Sequence, residues 1–318
     1  MAGITDICFR QLMEDLGAGL LISELVSAKG LLHNSGKTKR MMGVHANARV
    51  PAGVQLFGEE PDDIIEATQH VEGTGASFID INLGCPVKKV VKKGCGAALM
   101  RDPGYLESFL TRIKEGISLP LTVKMRTGWS DEELTIHECV RAAYNAGCEW
   151  VAIHGRTRAQ GYQGTADWNL IREVKQNAKL PIIGNGDLRS AERARDRMEE
   201  SGVDAVMIGR GALRNPWIFR ECLGGEKGTA RDALSVLVRY HELLGAHYDL
   251  RTTLMLTRKF AAWLAFGYPG AAAFRGKMFT LITAALVLQE AEEFFGNRVH
   301  MARPEFEESE AFMMGGHG

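Results

Sequence analysis

A chain of 318 residues, 45% hydrophobic and 24% charged, holds enough apolar material for one large globular domain, or one with a smaller partner. Its formal net charge of −1 excludes a whole-protein attraction to nucleic acid, so any such binding needs a local basic surface. Six cysteines without a CxxC pair give no zinc ribbon or thioredoxin-type site and no expected metal; without a signal peptide or membrane-spanning apolar run, a reducing cytoplasm is the expected compartment.

The chain opens Met1-Ala2-Gly3-Ile4-Thr5-Asp6 and enters a helix over 6–17, with Thr5 or Asp6 as its N-cap. Short β-rich runs follow at 20–23, 54–57, 78–82, 121–125, 150–154, 181–184 and 205–208. Helical patterns alternate with them at 62–73, 105–116, 131–146, 167–176, 191–200 and 212–221. This alternation predicts an α/β fold with a parallel sheet whose apolar strands are buried on both faces. Seven strands leave two readings: an open sheet, or a (β/α)8 TIM barrel whose first strand is truncated because the chain begins inside it. The second is favoured.

The run Gly224-Gly225-Glu226-Lys227-Gly228 reads as a linker. Beyond it, 230–248, 251–266 and 271–295 carry apolar residues at helical spacing. The expected organisation is a barrel domain over 1–225, a small all-α domain over 230–300, and a frayed tail over 301–318.

Polar residues at strand C-termini are site candidates in a barrel. The segment Asp80-Ile81-Asn82-Leu83-Gly84-Cys85-Pro86 ends a strand in a turn and presents a thiol. Cys85 is a nucleophile or proton donor on one reading, and a small buried residue closing a turn on the other. Gln55, Lys124, Arg126 and His154 also fall at strand ends. Gly184-Asn185-Gly186-Asp187 and Gly209-Arg210-Gly211 follow the last two strands. They form a phosphate site or merely tight turns: glycines admit an anion to the backbone and Arg210 adds a charged fork. Gly94-Cys95-Gly96 lacks the third glycine of a dinucleotide fingerprint and follows no strand. Any dinucleotide reductant therefore docks transiently. A phosphate site, a Gln and a Lys at one mouth suit FMN, with Gln55 on the pyrimidine edge and Lys124 stabilising the reduced ring.

With those residues in hand, the chain resembles the tRNA-dihydrouridine synthases, and the bacterial B-type most of all, over roughly residues 1–300. The resemblance rests on Met1-Ala2-Gly3-Ile4-Thr5-Asp6, Asn82-Leu83-Gly84-Cys85-Pro86, Lys124-Met125-Arg126-Thr127-Gly128-Trp129, His154-Gly155-Arg156-Thr157-Arg158, Asn185-Gly186-Asp187, Met207-Ile208-Gly209-Arg210 and Pro216-Trp217-Ile218-Phe219, in that order. It implies an FMN barrel, a helical tRNA-binding domain, and NADPH-dependent reduction of selected uridines. It implies Cys85 as proton donor, with Met1, Ala2, Gly3, Gln55, Lys124, His154, Asn185, Gly186, Asp187, Gly209 and Arg210 holding FMN. The family's opening segment is longer, which is why a missing first strand is expected here.

A uridine must leave the tRNA fold to react. Lys88, Lys89, Lys92 and Lys93, on the loop after Cys85, are candidates for tRNA phosphates, or else a solvated run. Asn82, Arg156 and Arg158 are further candidates at the mouth. Over 230–301 eight Lys/Arg stand against six Asp/Glu, and Arg258, Lys259, Arg275 and Lys277 are expected to face RNA. A monomer without a protein partner is expected. The rivals are an FMN enzyme of free pyrimidines resembling dihydroorotate dehydrogenase, a flavin-free tRNA-binding protein, and a phosphosugar barrel enzyme, under which Gln55 and Lys124 have no role.

Overall fold

Asp6 opens the first helix, α1 (Ile7–Asp15), by accepting from the backbone N–H of Cys8 at 2.9 Å and Phe9 at 3.0 Å. The computed structural model describes residues 3–33, 36–45 and 47–305; Met1, Ala2 and the tail from 306 lie outside the described residues. Seven strands follow: β1 (Leu21–Ser27), β2 (Ala52–Phe57), β3 (Phe78–Leu83), β4 (Leu121–Arg126), β5 (Val151–His154), β6 (Ile182–Asn185) and β7 (Ala205–Met207). They pair in chain order, every neighbour parallel. Among the described residues β1 and β7 each have one partner. The architecture is a seven-stranded (β/α) barrel-type sheet with a helical C-terminal part.

Helices fill the crossovers. After β1 come α2 (Ala28–Leu32) and α3 (Gly36–Met42), and after β2 comes α4 (Pro61–Val71). β3 leads to α5 (Lys88–Val91), a 3-10 turn over Gly96–Arg101, and α6 (Pro103–Gly116). Then α7 (Ile136–Asn145), α8 (Trp168–Asn177) and α9 (Ala191–Ser201) follow β4, β5 and β6, while α10 (Gly211–Arg214) and α11 (Ile218–Cys222) follow β7. The C-terminal part comprises α12 (Ala230–His247), α13 (Leu250–Leu264), α14 (Ala271–Met278) and α15 (Ala284–Gly296).

Four expectations need correction. β1 runs on to Ser27, because Glu24 does not end it: a register shift between Ile22 and Leu25 absorbs the acid, which is 5% exposed. The helix expected from 131 starts at Ile136, since Ser130 and Glu133 bridge and Trp129 N–H donates to the Glu133 carbonyl at 2.9 Å. The helix expected over 212–221 breaks between α10 and α11 at Asn215-Pro216, where proline disfavours a helical predecessor. The helix expected over 271–295 is two, because Thr283 caps α15 by accepting from Leu286 N–H at 3.3 Å.

One apolar core lies between the sheet and its helices, around Val54, Ile79, Ile81, Val123 and Ile153. A second unites α12, α13, α14 and α15 with Phe9, Leu12 and Met13 of α1 and with Leu213, Trp217 and Ile218. The helical core therefore reaches beyond 230–300 and includes the start of the chain. Among the described residues no helix is long and apolar enough to cross a membrane.

Candidate active site

Parallel register sets polar side chains in rows at the C-terminal ends of the strands. Gln55 pairs with Asp80 and Asp80 with Thr122. One step on, Asn82 pairs with Lys124; beyond it Arg126 pairs with His154 and His154 with Asn185. Alternation along a strand keeps Asp80 with Asn82, and Thr122 with Lys124 and Arg126, on one face.

The first rows are linked by hydrogen bonds. Thr122 Oγ1 donates to Asp80 Oδ1 at 2.7 Å and Gln55 Nε2 to Asp80 Oδ2 at 2.8 Å. Asn82 Nδ2 donates to Gln55 Oε1 at 2.9 Å. Asn82 Oδ1 accepts from Gly84 N–H at 3.2 Å and Cys85 N–H at 2.8 Å, closing the turn that carries the thiol. Burial pushes the Cys85 thiol above its ordinary value, opposed by the Val87 backbone and Arg126. It stays protonated at neutral pH, which suits an acid better than a nucleophile. Cys95 is 3% exposed, its pKa raised to about 11 by burial and by Glu59. Its sulfur faces the Lys93 carbonyl at 3.8 Å.

Burial lowers Lys124 to about 7, helped by Arg126 and opposed by Asp80. Its ammonium reaches the Met125 carbonyl at 3.5 Å, a long bond for a group withdrawn from water. Arg126 clamps two loops: Nε donates to Gly84 O at 2.7 Å after β3, and Nη1 to Thr157 O at 2.9 Å and Gly161 O at 2.8 Å after β5. His154 is held well below its usual pKa by burial and by Lys124, Arg126, Arg156 and Arg210, so its ring is neutral.

Arg156 is a correction. Expected to meet RNA, it is 2% exposed. Its guanidinium donates to Asp187 Oδ1 and Oδ2 at 2.9 and 2.7 Å, to Gly164 O at 2.7 Å and to Gln163 O at 3.0 Å, leaving it committed to the interior. The β6 turn it braces has Gly186 at φ 133° and Asp187 at φ 54°. A Cβ on Gly186 would sit 2.4 Å from Ala166 Cβ, so this turn needs glycine on both counts. Asn185 Nδ2 donates to Met207 O at 2.7 Å, tying together the ends of the last two strands, from which the last two loops leave. Arg210 lies 3.7 Å from Asp187 and stacks over Tyr162 at 4.7 Å, with Arg126 also over that ring at 5.5 Å.

Gly3 joins this end of the sheet, its N–H donating to Glu24 Oε1 at 2.5 Å and its carbonyl accepting from Lys259 Nζ at 3.0 Å. The bond from Lys259 is exposed, so Lys259 is a half-exposed cation already engaged by the N-terminal segment rather than a free one. Lys277 is exposed but paired with Glu290, Arg275 stacks over Phe266 at 5.1 Å, and Arg258 is half-buried; the four do not make one free basic face. Lys88, Lys89, Lys92 and Lys93 are all exposed, on α5 and the turn after it rather than on an open loop. Arg158 stacks on Trp129 at 4.4 Å, as does Arg101 at 4.7 Å.

Chemistry-bearing side chains at the C-terminal ends of a parallel β/α sheet, with a thiol on one turn and a charged cradle on the last two, define an enzyme of the barrel class. The family model for dihydrouridine synthase matches residues 1–299, and the chain belongs to that family. It is 37% identical over 305 residues to tRNA-dihydrouridine synthase B of Pseudomonas aeruginosa, covering 94% of this chain and 92% of that one. It is 35% identical over 302 residues to a probable tRNA-dihydrouridine synthase of Rickettsia conorii, covering 93% and 91%. Among solved structures, the old yellow enzyme homologue of Zymomonas mobilis shares the fold at 13% identity, with a TM-score of 0.50 over 71% of this chain and 85% of that one.

Proposed function

We propose that this enzyme is a flavin-dependent tRNA-dihydrouridine synthase that reduces the C5–C6 double bond of uridines in tRNA. FMN is its bound cofactor, NADPH its transient reductant and Cys85 its proton donor. The observation that carries this reading is the raised thiol of Cys85, fixed by Asn82 one turn from the Gln55 and Lys124 rows.

The donor set suits a phosphate-bearing flavin. Lys124 holds a half-buried ammonium with one long bond, Gln55 Nε2 has a second N–H, and Arg210 stands 3.7 Å from Asp187. Gly3, Gln55, Lys124 and His154 would hold the ring system and its neighbours, and Asn185 to Asp187, Gly209 and Arg210 the phosphate. Met1 and Ala2 complete the set. The flavin, when bound, supplies the hydride for C6 of the uracil. The chain's own part is to orient the base and give C5 a proton. Asn82, near Cys85, would contact the base, while Lys88, Lys89, Lys92, Lys93 and Arg158 would contact tRNA phosphates. The enzyme works as a monomer in the cytoplasm.

The test is a visible spectrum of the purified protein during NADPH titration. The expected result is a flavin spectrum that bleaches and recovers on adding unmodified tRNA but not uracil. Recovery with uracil or orotate would favour an enzyme of free pyrimidines. A colourless protein that takes up no FMN would overturn the flavin reading.

A further inference from the structure

Asp80 is fully buried in the sheet interior, and the reaction proposed above gives it no task. A carboxylate there is expensive unless its oxygens are satisfied, and both are: one by Thr122, the other by Gln55. We propose that Asp80 is a positioning residue for Cys85, fixing through Gln55 and Asn82 the direction of the hydrogen bonds that hold the thiol-bearing turn. The inference rests on the reading of Cys85 as proton donor.

The argument is one of polarity. Burial pushes the Asp80 pKa up, opposed by the bonds from Gln55 and Thr122 and by the charge of Lys124; in the ionised form each oxygen accepts, so Gln55 turns its NH2 towards Asp80. Its Oε1 then faces Asn82 and accepts, so Asn82 must turn its NH2 to Gln55. That leaves Asn82 Oδ1 for the backbone N–H groups of Gly84 and Cys85. Reversing either amide alone sets donor against donor or acceptor against acceptor. Asp80 therefore reaches the Cys85 turn without touching it, and its neighbour Lys124 lies in the next row.

Two near-isosteric substitutions test this. In N82D, one carboxylate oxygen still accepts from Gly84 and Cys85, but the other faces Gln55 Oε1. Gln55 must flip, which turns its oxygen on Asp80. In D80N/N82D the amide introduced at position 80 donates to the flipped Gln55, whose NH2 donates to position 82, so the two bonds of the relay are restored in reverse and the others keep their direction. D80N alone is tolerated: its oxygen accepts from Gln55 and its NH2 donates to Thr122, whose proton passes to the Ile79 carbonyl, already 3.3 Å away.

The readout is hydrogen–deuterium exchange at the Gly84 and Cys85 amides of the purified holoenzyme, with thermal midpoints alongside. N82D should exchange on the order of tenfold faster, the loss of about one hydrogen bond. D80N and D80N/N82D should both stay within about twofold of the parent. A double variant exchanging as fast as N82D, or an unchanged N82D, would overturn the relay. If N82D fails to fold, a folded double variant supports it and an unfolded one overturns it. Full turnover by C85A would end the proton-donor reading while leaving the exchange result standing.

Discussion

Arg156 grips Asp187 through both carboxylate oxygens, at 2.9 and 2.7 Å, and so holds the one described non-glycine residue with positive φ in its left-handed conformation. An ion pair with one member 2% exposed and the other half-buried joins the β5 and β6 loops. Arg156→Met strips Asp187 of its bidentate partner and leaves it Arg210 at 3.7 Å and the Ala166 N–H at 2.8 Å. The expected loss is roughly 3 kcal/mol of stability, with flavin content falling in parallel. Denaturant unfolding and the visible spectrum check both; retained flavin at reduced stability would limit the pair to a structural role.

Lys124 yields a prediction with opposite signs for stability and activity. Its folded pKa of about 7 lies below the ordinary 10.5. Between those values the unfolded chain binds more protons than the folded one, so stability rises with pH across that window. At and below pH 7 the buried ammonium is a full burden on the flavin-free protein. Lys124→Met should raise the melting temperature of flavin-free protein at pH 6, by about 2–4 °C per kcal/mol relieved, and the gain should vanish above pH 10.5. Activity should move the other way: a bound anionic flavin favours the ammonium, so kcat/KM of the loaded parent should hold above pH 7 and fall only at more alkaline pH, and Lys124→Met should lose activity at every pH. Full activity of Lys124→Met would contradict a role for the charge.

Cys85 and Cys95 separate cleanly. Cys85→Ala should lower turnover on tRNA roughly 10²–10⁴-fold, the range for a lost general acid, while NADPH still bleaches the flavin at the parent rate. Cys95→Ala should keep turnover, since its sulfur is buried against the Lys93 carbonyl. Single-turnover kinetics on unmodified tRNA distinguish the two.

The lysines after Cys85 should act through tRNA phosphates. Replacing Lys88, Lys89, Lys92 and Lys93 with alanine should weaken tRNA binding and shallow its salt dependence, by roughly one unit of slope for each phosphate no longer neutralised. Unchanged affinity from 50 to 200 mM salt would mark them as a solvated run.

Much of this was legible because periodicity reports burial. The strands after β1 fall within two residues of their expected bounds at either end, and Cys85, Gln55, Lys124 and the last two glycine-rich loops all lie at strand C-termini. Position alone hid the rest. Charge reveals neither burial nor partners, so Arg156 read as a surface cation although it braces a turn, and Lys259 as a free one although it reaches Gly3. The run expected over 20–23 stopped four residues short of Ser27 because a bulge leaves no trace in composition. Asp80 was within reach: it alternates with Asn82 on β3, and period two alone puts both on one face. Tyr162, between two guanidinium groups, had no such signal, since a loop aromatic carries no period.

The place of α1 bears on how the molecule is made. Phe9, edge-on to Tyr240 and Phe260, and Asp6, accepting from Tyr240 Oη at 2.7 Å, find their partners more than 200 residues downstream. The sheet can assemble as the chain leaves the ribosome, but the segment bordering its mouth cannot dock until α13 has emerged. Until then Phe9, Leu12 and Met13 are uncovered and open to chaperones. A nascent chain stalled before residue 230 would therefore hold all seven strands but none of the downstream partners of Phe9 and Asp6.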